Sequence, residues 1–504
     1  MRHLRSFAVG SIGALGVAGL LASSGFAQVP DINPPVANCN MTPQAVAVKP
    51  PPAPGSNAPA FKVTPITPDL LKLGQPCQQI VSTNGLAGDD TVTNRQRGFD
   101  FYSWLTFIAM NSPADGKTTI GKGSRPGGDA PAMWEDLNNY RPLADVMLND
   151  DAKRKWGTRH VPDECKSLDG PGKMVFHLGE EAFNQPFKTG PLIDQDGNYA
   201  LFDILMNKPM FDFIDTNGLY SKRGQTKFDK EIEFPIGVNP VKDDDGKIIS
   251  PGRMGAIMLK VSYRILDPVA NSDLIKQFHT SDALIYFPGP PLTRTGPTCV
   301  EKKLGLIGFH VGHKTKFAPQ WVWTSFEHVS NVPDEADVKT GKPLPLPRYN
   351  FFKENCKDCD EANATPPKPW HPPETLKFPT SFRSQVVRTK MVPGHTQKDV
   401  DQLNLAFRNI LKGTVWENYM LLTTQWPSEF DSKTDPTGVP APTYLANSTL
   451  ETYSQGKVPL ASSSCMACHG NAVSFQRRET DATKFDSKPF NQSDFTFILE
   501  KAAP

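Results

Sequence analysis

Leu304-Gly305-Leu306-Ile307-Gly308-Phe309-His310-Val311-Gly312-His313-Lys314 is followed, after a short break, by Gln320-Trp321-Val322-Trp323-Thr324-Ser325-Phe326-Glu327-His328. These two apolar runs read as a pair of strands. Alternation puts Leu306, Gly308 and His310 on one face of the first. It puts Val322, Thr324, Phe326 and His328 on one face of the second, with Trp321 and Trp323 on the other. Gly305, Gly308 and Gly312 would let a flat ligand approach the backbone. Three of the ten histidines lie here within nineteen residues. A glycine-containing hairpin whose histidines bond locally fits the same pattern, so both readings stand.

Outward from this pair, strands continue. Ile257, Leu259, Val261, Tyr263 and Ile265 alternate with Met258, Lys260, Ser262 and Arg264, which predicts a strand with one buried face. Ala283 to Phe287 is a further apolar strand, closed by Pro288-Gly289-Pro290-Pro291. Asp194-Gln195-Asp196-Gly197-Asn198 starts like a calcium loop but has Leu205 where the twelfth-position acid belongs, so it reads as a turn. Asp243-Asp244-Asp245-Gly246 reads the same way. Helices flank this middle. Phe101, Trp104, Leu105 and Ile108 share one helical face, and Phe99 and Phe107 extend its apolar surface. Thr396 to Asp399 resembles a capping box before Val400, Leu403, Phe407, Ile410 and Leu411, with Gly413 as the stop. Val415 to Thr424 reads as a strand, and Ser448-Thr449-Leu450-Glu451 as a second capping box opening a short helix. The class expected is α+β, a β-rich central body with flanking helices.

The chain has 504 residues and a formal charge of +1. That length suits one large or two ordinary domains. The balanced charge points to no nucleic acid and no anionic membrane surface. The 48 prolines argue for long loops against an all-helical bundle. Residues 1–27 read as a signal peptide: Arg2 and Arg5, an uncharged run from Phe7 to Ala22, then small residues at Gly25 and Ala27. That run is too short and glycine-rich for a membrane anchor, and no later stretch could span one. The mature chain is therefore expected in the periplasm, with secretion the second choice. Residues 28–95 form a proline-rich extended leader, 96–440 a mixed body and 441–504 a final segment.

That final segment carries Ser464-Cys465-Met466-Ala467-Cys468-His469-Gly470, a C-x-x-C-H run. Two thiols three residues apart reach one edge of a haem, where they form thioethers with its vinyl groups. The following His469 then supplies the proximal ligand to the iron, so one covalent haem c is expected on Cys465, Cys468 and His469. A disulfide or half a zinc site followed by an accidental His is the competing reading. In class I cytochromes an axial Met follows the motif. Here residues 470–504 hold neither Met nor His. A distal ligand must then come from earlier in the chain: His310 and His313 first, with His328, then Met420, Met391, His371 and His395. The segment is accordingly expected to pack on the body rather than form a class I domain. The other six cysteines, Cys39, Cys77, Cys165, Cys299, Cys356 and Cys359, allow up to three disulfides in an oxidising compartment. Cys356-Lys357-Asp358-Cys359 lacks the His that haem attachment needs.

Several blocks resemble a family of large exported proteobacterial proteins known as cytochrome c family proteins. They are Phe101 to Ile108, Gly308 to Thr315 with Pro319 to His328, Thr424-Gln425-Trp426-Pro427, Leu445 to Tyr453, and Ser463 to His469. The resemblance runs from about Arg97 onward. It implies haem c at Cys465, Cys468 and His469 and no particular reaction. Two functions follow as expectations. One is electron transfer through the haem to a periplasmic redox partner protein. The other is a haem oxidoreductase, oxygenase- or peroxidase-like, with an open distal site for a small molecule and His310 or His313 as acid–base groups. A non-catalytic haem sensor ranks third. Serine-hydrolase, P-loop and dinucleotide fingerprints are absent.

Overall fold

The computed structural model describes residues 92–115, 120–121, 131–147, 155–238, 241–245, 247–250, 252–316, 318–389, 394–429, 438–455, 464–476 and 493–504, with Leu71 and Pro76. The expected signal peptide, nearly all of the leader, Cys39, Cys77 and Met391 lie outside these residues. So does the side chain of His395.

The strands are β1 (Tyr140–Pro142), β2 (Met174–His177), β3 (Leu201–Asn207), β4 (Val241–Lys242), β5 (Ile248–Ser250), β6 (Ile257–Leu266), β7 (Thr280–Phe287), β8 (Thr298–Thr315), β9 (Ala318–His328), β10 (Tyr419–Glu429) and β11 (Val439–Ala441). The helices are α1 (Val92–Asn111), α2 (Lys208–Thr216), α3 (Lys222–Lys227), α4 (Ser272–Ile275), α5 (Glu335–Thr340), α6 (Gly394–Ile410) and α7 (Cys465–His469). One sheet runs β1-β3-β6-β8-β9-β10-β11, with β7 and β2 added along the first half of β8. Of the strand pairs named here, among the described residues, β2–β7 is parallel and the others are antiparallel. The protein is α+β, a large antiparallel sheet with helices against it.

β8 is the spine. Its first half pairs with β7, and its second half lies between β6 and β9. Ile307 makes a bulge, because Tyr263 opposes Leu306 while Ser262 opposes Gly308. The expected alternation therefore breaks: Leu306 joins Phe309 and Val311 in the main core, and Gly308 turns to the other side with His310. Both faces of β6 are covered, not one. Its odd residues enter the main core, while Met258 packs in a second cluster and Arg264 is buried against Asp194 and Asp196.

The first face of the sheet carries α1 and α6. The apolar spacing in α1 works as read. Trp104 is fully buried, stacks on Phe407 of α6 at 4.8 Å and donates to Asn404. Truncating such a side chain costs about 3–5 kcal/mol. α6 starts at Gly394, ahead of the expected cap, and Gly413 follows it with φ 84°. The stretch after it enters β10 only at Tyr419, because Val415–Asn418 form a 3-10 turn capped by Thr414. Asp194 to Asn198 is a turn, its carboxylate accepting from the backbone of Asp196 and Asn198. β4 and β5 pair around the second Asp-rich turn. Cys165 is bonded to Cys299 on β8, and Cys356 to Cys359. Among the described residues no helix is long and apolar enough to cross a membrane.

Candidate functional site

The second face of the sheet holds the C-terminal segment. Along β8 this face presents Gly308, His310, Gly312 and Lys314. Across the ladder it presents Met258, Lys260 and Ser262 of β6, Trp323, Ser325 and Glu327 of β9, and Gln425 of β10. α7 lies against β9 and β10. Ser464 caps it, accepting from the Ala467 amide, a contact worth about 1 kcal/mol. Gln425 ties it to the sheet: its Oε1 accepts from the Met466 amide at 2.8 Å and from Ser464 Oγ. Met466 is buried among Trp321, Trp323, Met258 and Leu499.

Cys465 and Cys468 are both unpaired thiols, although Cys356 and Cys359, at the same spacing, are joined. Burial pushes the Cys468 thiol up to about 12, helped by the Glu451 carboxylate, and holds Cys465 well above its ordinary value. Both shifts disfavour the thiolate.

His469 is held on three sides. Its ring lies 4.4 Å from that of Trp323 and 5.1 Å from Phe497. Nδ1 donates to the Phe495 carbonyl at 2.8 Å. Nε2 makes no hydrogen bond among the described residues. Burial lowers its pKa to about 4, so the imidazole is neutral with Nε2 as the lone-pair nitrogen. The carbonyl it uses is fixed from a distance. Asp494 and Phe495 both adopt left-handed backbone, φ 50° and 62°, which costs non-glycine residues of order 1 kcal/mol each. Asp494 is pinned there by Lys314 of β8, by the Phe234 amide at 2.7 Å and by Trp321.

The two leading candidate histidines part company. His310 shares the α7 face. Its Nε2 lies 3.0 Å from both oxygens of Glu451, and its charge acts on His469. His313, three residues on, points through the opposite face to the Tyr102 hydroxyl of α1. Burial lowers its pKa to about 3. An odd spacing on a strand puts the two on opposite sides of the sheet. His328 also lies away, with Nδ1 accepting from Ser330 nearby and Nε2 on the Gln277 carbonyl, just ahead of β7. His371 is exposed, against the Leu292 carbonyl.

The glycines do not open a slot for a flat ligand beside them. A Cβ at Gly305 would meet Leu266 and Phe278, one at Gly308 would meet Ser262 and Thr449, and one at Gly312 would meet Met258 and Trp323. They let the 447–455 segment and these side chains close on the sheet. That segment forms no α-helix. Ser448 bonds Glu327, Glu451 reaches back to the Asn447 amide and to His310, and only a 3-10 turn follows. Glu327 is in turn held by Arg388.

Gln425, Asp494, Lys314 and Lys260 were not singled out by the sequence. A lysine alternating with apolar residues in a central strand was the available signal. Among the described residues no three His, Cys, Asp or Glu side chains converge as ligands of a bare metal ion. Comparison with protein-family models, curated proteins and solved structures finds no match.

Proposed function

We propose that the chain is an exported, periplasmic c-type cytochrome of the resembled family, with one covalent haem, and that it passes single electrons to a redox partner protein. The observation that carries this is the state of His469: Nδ1–H committed to a carbonyl, Nε2 without a partner, one residue after two unpaired thiols. A ligating His normally donates its other nitrogen in this way, fixing the tautomer. The donor set fits haem better than zinc, because haem takes thiols and imidazole at separate points of the macrocycle whereas zinc needs them to converge. Cys465 and Cys468 would hold the group as thioethers, each S–H giving its sulfur to one vinyl carbon and its hydrogen to the other, and His469 would take the iron. Bound haem supplies a one-electron couple. The protein's part is to hold His469 through Phe495 and Trp323 and to set the polarity beside it. A second reading, a haem oxidoreductase acting on a small molecule, is favoured by the Lys260–His310–Glu451 group near His469, whose imidazole and carboxylate could relay a proton.

The test is a visible spectrum of the purified protein, oxidised and reduced, with and without carbon monoxide. A low-spin spectrum unmoved by carbon monoxide supports the carrier. Rapid carbon monoxide binding supports the oxidoreductase. A protein matured in a haem-attaching host without covalent haem ends both.

A further inference from the structure

We infer that Lys260 is the anion-holding residue of the site beside α7, its partner a carboxylate or other small anion; this rests on the haem reading above. Lys260 lies on β6 directly across from His310 on β8, and is partly buried. The charges that act on it are those of Glu451, then Cys468, Glu181 and Lys501. Yet its ammonium makes no ion pair and donates no hydrogen bond among the described residues; only the Phe202 ring lies beneath it, at 5.6 Å. Other cations on the sheet are matched: Arg264 with Asp194 and Asp196, Lys314 with Asp494, Lys303 with Asp282.

The anions acting on it are already engaged. Both oxygens of Glu451 are taken up by His310, and one also accepts from the Asn447 amide. Cys468 loses its acidic proton once it becomes a thioether. The ammonium, half-buried and without a protein anion among the described residues, is an uncommitted charge at the edge of the site that an incoming anion can take up. Two sources offer the same chemistry: a carboxylate of the haem itself, or a free anion such as nitrite reaching the iron.

The experiment compares wild-type holoprotein with Lys260→Met and Lys260→Arg, each checked for covalent haem by its pyridine haemochrome. The reduction midpoint and the ferric protein's affinity for nitrite are measured. With a haem carboxylate as partner, Lys260→Met disfavours the reduced form about tenfold, about 59 mV for one electron. Lys260→Arg restores it, and nitrite affinity stays put. With a free anion as partner, nitrite binding weakens about tenfold in Lys260→Met and Lys260→Arg restores it, whatever the lost charge does to the midpoint. Haem-loaded variants with both values unchanged overturn the inference and leave the haem reading standing. A haem-free wild type overturns both. Should Lys260→Met load no haem, Lys260→Gln replaces it in the comparison.

Discussion

His310 and His313 are three residues apart on one strand and live in different chemical worlds. His313 faces the side of the sheet closed by α1 and α6, against Tyr102 of α1, with Ile257 and Val322 beside it on the neighbouring strands. His310 faces the side where Lys260, Glu451, Glu327, Arg388 and Gln425 gather under the C-terminal segment. The first side holds the fold by apolar burial, the dominant favourable force in folding. The second is a network of charges and hydrogen bonds that fixes positions at the expense of burial. The difference teaches that the sheet is a partition: α1 and α6 close the main core on one side, while the other side sets charged and hydrogen-bonded groups beside a smaller apolar cluster to hold α7.

The hardest blow to that partition is dealt at α7. Cys465→Ser with Cys468→Ser is expected to abolish covalent haem completely, as judged by haem staining after denaturing electrophoresis. The tryptophan near-ultraviolet signal from the α1 side should survive, because Trp104 and Phe407 belong to the main core and Met466 and Cys465 of α7 to a separate cluster. Haem that still resisted denaturation would refute the assignment. Next in size is Lys314→Met. It strands the buried Asp494 carboxylate, and removing one partner of a buried pair costs about 3–5 kcal/mol. Denaturant unfolding measures this. A loss below about 1 kcal/mol, the value of an exposed pair, would mean that Asp494 does not depend on the sheet to fix the Phe495 carbonyl.

The partition was only half legible beforehand. Periodicity revealed α1, β6 and the β8–β9 pair, because local burial and alternation leave their mark on every second or fourth residue. It could not reveal the bulge at Ile307, which costs one residue of register and turns Leu306 away from Gly308. Nor could it show that Ser448 and Glu451 serve Glu327 and His310 instead of capping a helix, since those partners lie more than a hundred residues away. At the site, Cys465, Cys468 and His469 are legible because their chemistry is local in sequence. Lys260, Gln425 and Asp494 are not, because the sheet alone brings them to α7.

On the apolar side the sharpest probe is pH. Asp100 of α1 is 1% exposed; its Oδ1 accepts from Gln96, Thr423 and Thr424, and its Oδ2 has no partner. Burial raises its pKa from 3.8 to about 7, against the pull of those bonds. The folded protein thus holds a proton that the unfolded chain releases, so this group's contribution to stability falls as pH rises from 3.8 to about 7. Asp100→Asn is expected to match the wild type below pH 4 and exceed it at pH 8 by on the order of 4 kcal/mol. Equal stability of the two proteins at pH 8 would show that the carboxylate is well accommodated there, and that the α1 side is less dry than its apolar lining implies.

The smallest effect expected comes from the other C-x-x-C. Cys356 and Cys359 close a loop of three residues' separation, outside both faces' cores, and a loop so short removes little entropy from the unfolded chain. Cys356→Ser with Cys359→Ser should therefore cost about 1 kcal/mol, at the low end for disulfides, and leave haem content untouched. The pair tests what distinguishes two identical spacings. At Cys465 and Cys468, Ser464 and Gln425 impose a helix whose buried thiols stay protonated, and His469 follows. At Cys356 and Cys359 no helix forms and Asp360 follows. If the serine variant lost haem along with its disulfide, the two cysteine pairs would be linked in maturation, and the context around α7 could not be the whole reason that its thiols are spared.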